Sequence, residues 1–78
     1  MPKFRRMNLK QLREQAGCAT QEEAATRVGV NQTTISKLEA GDVASPRLDT
    51  LEKLAAGYGV ELSVVIDAVR ATVTGRAA

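Results

Sequence analysis

Four side chains near the middle of the chain, Gln32, Thr33, Ser36 and Lys37, recur at a spacing that puts them on one side of a short α-helix. An amide, two hydroxyls and an ammonium make a set of compact hydrogen-bonding groups with no bulky apolar side chain among them. Such a face suits base-pair edges in a DNA major groove. An amide bonds bidentately to adenine N6 and N7, an ammonium reaches guanine O6 and N7, and a threonine methyl meets a thymine methyl. Read without a partner, the same four residues are the solvated face of an ordinary amphipathic helix. Catalytic chemistry has less to work with. The chain has no His and one cysteine, Cys18. That excludes a Ser-His-Asp triad, a Cys-His pair, a multi-cysteine metal site and an internal disulfide framework. Cys18, Ser36 and Asp42 have no base near them in sequence, so neither an enzyme, a metal nor a cofactor is expected.

Those four residues are useful only if neighbouring elements hold them outward, and the pattern along the chain is helical throughout. Leu9, Leu12 and Ala16 fall at i, i+3 and i+7, with Gly17 as a stop, predicting a first helix over about residues 8–16. Thr20 followed three residues later by Glu23 is a capping box that opens a second helix. Ala24, Ala25 and Val28 form its inner face and Gly29 ends it. Asn31 is the next N-cap candidate, and Ile35 and Leu38 mark the buried side of a third helix over 32–39. So short a link between the second and third helices prevents them from packing side by side. It favours a steep crossing, with Gly29 turning the corner and Val30 and Ile35 plugging the angle. Leu48, Leu51, Leu54 and Ala55 mark a fourth helix, and Leu62, Val65, Ile66, Val69 and Val73 a fifth. The expected fold class is all-α, with five helices, a basic arm at 1–7, one domain at 8–73 and a tail at 74–78.

With 78 residues the chain has room for one domain. Its charge is +2 overall but unevenly spread: the five basic residues Lys3, Arg5, Arg6, Lys10 and Arg13 precede the first acid, Glu14. A cationic front end serves either as an arm for a polyanion or as a solubilising tail. Apolar runs fall far short of the ~20 residues a membrane span needs, and no apolar signal segment follows the first cations. A cytoplasmic protein without membrane attachment is the expectation.

Taken together, Thr20-Gln21-Glu22-Glu23-Ala24-Ala25, Val28-Gly29-Val30-Asn31-Gln32-Thr33-Thr34-Ile35-Ser36-Lys37-Leu38-Glu39-Ala40-Gly41, and Pro46 with Leu48-Asp49-Thr50-Leu51 resemble the Cro/C1-type (Xre, lambda-repressor-like) helix-turn-helix family. The resemblance covers roughly residues 8–69. It implies a five-helix lambda-repressor-like bundle that binds double-stranded operator DNA, usually as a homodimer. It places base reading at Gln32, Thr33, Ser36 and Lys37. It places a phosphate contact at Gln21, which as the first residue of a helix also sits where anions are favoured. Thr34 and Asn31 are further phosphate candidates, capping being the plain alternative for Asn31. Arg13 and Glu39 match a family position pair that forms an internal ion bridge.

The chain departs from the family pattern in the turn at Gly17–Thr20 and in the loop at Asp42–Pro46, each longer than usual. It also has the small Ala24 where a larger aliphatic is common, which suggests a looser core or compensation by Phe4 or Met7. The loop lacks the usual basic residues, and Asp42 there would repel phosphate. Arg5 and Arg6, together with Lys3, are the candidate replacements for those cations. One module reads few bases, so two copies on a palindromic site are expected, with Val64, Val65 and Ala68 of the fifth helix as the candidate interface. The function expected is that of a transcriptional regulator, a repressor or autoregulator. The alternative is an antitoxin-like module whose main task is to hold a protein partner.

Overall fold

The computed structural model describes residues 7–43 and 45–77, and these form five helices in the order α1 Leu9–Gln15, α2 Gln21–Val28, α3 Gln32–Glu39, α4 Leu48–Tyr58 and α5 Leu62–Ala77. Lys3, Phe4, Arg5 and Arg6 lie outside the described residues. Local chemistry sets the helix starts. Asn8 Oδ1 accepts from the Gln11 amide at 2.8 Å while Gln11 Oε1 accepts from the Asn8 amide at 3.0 Å, a capping box for α1. Thr20 and Glu23 do the same for α2, and Glu23 also takes the Ala19 amide. Asn31 occupies the N-cap position of α3, but its side chain makes no capping hydrogen bond. Gly29 ends α2 at φ +87°, a left-handed conformation that costs an L side chain about 1–2 kcal/mol.

The core is built from one side of each helix: Leu9 and Leu12 of α1, Ala24, Ala25 and Val28 of α2, Ile35 and Leu38 of α3, Leu54, Ala55 and Tyr58 of α4, and Val65, Ala68 and Val69 of α5. Ala24 itself has no exposed surface. Met7, one of the residues expected to compensate, packs against the core margin. α2 packs on α3 and α4, and α5 closes the other side against α1 and α4. The α2–α4 crossing is tight because position 57 is glycine: a Cβ there would stand 2.8 Å from Val28 Cγ2 and 3.0 Å from Val28 Cα.

Three expectations change. Val65 and Ala68, expected on a dimer surface, are 0% and 2% exposed and belong to the chain's own interior. The inward stripe of α5 is Val65, Ala68, Val69 and Thr72, while Leu62 and Ile66 are half-buried on its flank. Leu48, expected to help build the inner face of α4, is 61% exposed. Lastly, α5 continues as helix to Ala77, so the backbone from Thr74 to Ala77 extends the last helix where a tail was expected.

Thr72 is the other unexpected core member. Its hydroxyl donates to Ala68 O at 2.7 Å and accepts from the Leu9 amide at 2.8 Å. The first N–H of α1, which has no partner within its own helix, is therefore satisfied by a residue 63 positions away.

Candidate nucleic-acid interface

α3 divides its residues sharply. Ile35 and Leu38 are buried, whereas Gln32, Thr33, Ser36 and Lys37 are exposed together on the opposite side. Asn31, just ahead of them, is exposed too, and no side-chain capping bond engages it. Thr34 is half-buried and lines a cleft of about 200 Å³ between α3 and the segment leading into α4. All four base-reading candidates thus share one surface, which Asn31 extends at its leading end.

A buried polar junction holds this helix. Glu39, its last residue, receives Arg13 Nε from α1 on Oε2 at 2.6 Å and Gln21 Nε2 from α2 on Oε1 at 3.0 Å. The side chains of Arg13 and Glu39 are 5% and 7% exposed. Arg13 Nη1 also donates to the carbonyl of Cys18 at 3.0 Å, which ties in the turn between α1 and α2. One carboxylate therefore fastens three helices. The hydrogen bond that Arg13 donates to Glu39 pushes the Arg13 pKa above its already high ordinary value, against the opposing effect of burial, so the guanidinium stays charged. The resemblance pointed to Arg13 and Glu39 alone; Gln21 joins them, and its amide is oriented by Glu39 while its backbone begins α2.

Sequence reasoning overlooked one cation at this surface. Arg47 precedes α4, and its side chain is 87% exposed beside the cleft that Lys37 also lines. Its Nε lies 3.5 Å from Asp49 Oδ1, an exposed pair that water screens heavily. The signal was present in Pro46-Arg47 placed directly before the helix. Cys18, by contrast, is buried in the core at 1% exposure.

Comparison with known proteins gives a consistent picture. A family model described as "Helix-turn-helix domain" matches residues 7–76. The chain is 37% identical over 59 residues to the protein named "Putative antitoxin HigA3" from Mycobacterium tuberculosis (strain ATCC 25618 / H37Rv), a match that takes in 76% of this chain and 54% of that relative. The chain thus spans about half the length of the curated relative it matches. No solved structure matches. Among the described residues no helix is long and apolar enough to cross a membrane. Five helices, an outward polar α3 joined to α2 through a glycine corner, and a family match over nearly the whole chain lead to one assignment: the chain belongs to the helix-turn-helix domain family.

Proposed function

We propose that this chain is a cytoplasmic, sequence-specific transcriptional regulator of the Cro/C1 (Xre) type, acting as a repressor or autoregulator on a palindromic operator. The observation that carries this is the exposed set Gln32, Thr33, Ser36 and Lys37 on a helix whose far end is fixed by Glu39. α3 enters the major groove. Gln21, Thr34, Asn31 and Arg47 face the phosphates alongside, and Arg5 and Arg6 add charge from outside the described residues. Backbone contacts set the register, and the base edges supply the discrimination. A homodimer doubles those base contacts. With Val65 and Ala68 committed to the core, Val64 and the flank of Leu62 and Ile66 are the parts of α5 that remain for a partner.

Fluorescence anisotropy against duplex DNA tests the reading. Gln32→Ala should weaken binding to the selected operator by about 1–3 kcal/mol and leave scrambled DNA nearly unaffected. Equal losses on both duplexes would remove the base-reading role. Binding whose logarithm does not change with salt would remove the DNA reading altogether.

A second reading, in which the chain chiefly holds a toxin or other protein factor, is favoured by the name of the Mycobacterium tuberculosis relative. The two roles are compatible in one molecule. They separate in a titration of purified chain with DNA alone, which the regulator reading requires to be tight and sequence-selective without any added protein.

A further inference from the structure

The chain holds two aromatic side chains, Phe4 and Tyr58. Phe4 stands among cations, with Lys3 before it and Arg5 and Arg6 after it, and the DNA reading makes no use of it. Tyr58 lines a groove of about 300 Å³ where the end of α1 and the end of α4 meet the start of α5. Met7, Leu12, Val60 and Val64 supply most of the remaining wall, with Gln15 its strongly polar member. An apolar cavity of about 150 Å³ is enough to hold a benzene ring. The groove therefore has room for an aromatic side chain. A methionine sulfur and a tyrosine ring are favourable neighbours for one.

Met7 lines this groove and is also the first described residue, so residues 1–6 join the fold at the groove's own wall. Phe4 is three positions away, about 10 Å of extended chain, which keeps it beside the groove. Charge agrees with this placement. Among the described residues, the exposed charges next in sequence to the wall are Glu14 and Glu61, both acids. We propose that Phe4, from the chain's own N-terminal segment, docks in this groove against Tyr58 and Val64, with its flanking cations beside Glu14 and Glu61. The inference does not depend on DNA binding. Docking confines Arg5 and Arg6 to the short link between two anchored residues, Phe4 and Met7. It also covers Val64, so a second copy using that residue has to displace Phe4 first.

The test is NMR of the full chain with labelled valine and leucine methyls, at two protein concentrations tenfold apart. The methyls of Val60 and Val64 should show Overhauser contacts to the Phe4 ring, equal at both concentrations. In a mixture of labelled and unlabelled chains, a filter that passes only contacts between chains should remove them. Phe4→Ala should shift these methyls and leave those of Val28 and Leu38 in place. It should lower the melting point by about 4 °C or more, and by less than half as much in a Val64→Ala background, because residues in contact are not additive. The proposal is overturned if the ring touches neither valine, if Phe4→Ala leaves the melting point unchanged, or if the two losses simply add. Contacts that pass the filter overturn it as well, and assign the groove to a second copy.

Discussion

Glu39 shows how one residue can decide the usefulness of its neighbours. Its carboxylate is nearly sealed from water and joins Arg13 to Gln21. Burial settles which energetic regime applies: an exposed pair is worth about 0–1 kcal/mol, whereas breaking a buried one strands a charge at a cost of about 3–5 kcal/mol. Glu39→Ala should therefore lower the stability measured by urea unfolding by about 3–5 kcal/mol, a large share of the 5–15 kcal/mol typical of a domain. A loss below about 1 kcal/mol would mean that water reaches the guanidinium. The Arg13–Glu39 bridge was legible only through likeness to a family, since 26 positions separate the partners and no local pattern links them. The role of Gln21 in the same junction was not legible at all, because a half-buried amide at a helix start reads equally well as a surface group.

At the level of helices, the boundaries of α2 and α3 were plain in the sequence because their chemistry is local: Thr20 with Glu23 at one start, Gly29 at one end, and a short apolar inner face on each, Ala24, Ala25 and Val28 on α2 and Ile35 and Leu38 on α3. The Asn8–Gln11 box was equally local but was overlooked, since glutamine in the reciprocal position is a less familiar signal than glutamate. The orientation of α5 was not decidable in this way. Leu62, Ile66 and Val73 make as good an apolar stripe as Val65, Ala68 and Val69, and only the packing partners choose between them. A related effect governs the α2–α4 crossing. Gly57→Ala would gain about 1 kcal/mol of helix propensity. The added methyl, however, meets Val28 Cγ2 and the Val28 backbone, and overpacking of this kind costs about 1–3 kcal/mol. The backbone contact cannot be relieved by a rotamer change, so net destabilisation is expected in thermal melts, with partial recovery in Gly57→Ala combined with Val28→Ala. A melting point raised by Gly57→Ala alone would show that the two helices can spread at little cost.

Considered whole, the molecule links its interior to bulk pH through Tyr58. Tyr58 is buried at the end of α4, and loss of its solvation, reinforced by the negative Glu39, pushes its hydroxyl up to about 12. The ordinary value is about 10, so the unfolded chain gives up this proton first. The stabilising contribution is complete below pH 10 and is lost as pH rises from 10 through 12. Unfolding free energies measured across that window should fall with rising pH, and Tyr58→Phe should flatten the part of the slope due to this group. An unchanged slope in Tyr58→Phe would assign the alkaline sensitivity to other groups.

The hydroxyl of Thr72 carries a kinetic consequence. The leading amides of a helix ordinarily trade their hydrogens with water fastest, because nothing inside the helix covers them. The amide of Leu9 is covered from the opposite end of the chain. Its deuterium uptake should therefore track the lifetime of the middle of α5 rather than fraying of α1, and Thr72→Val should release it to rapid uptake while amides deep in α2 keep their protection. Loosening of the first helix and loosening of the last are, in this molecule, a single event.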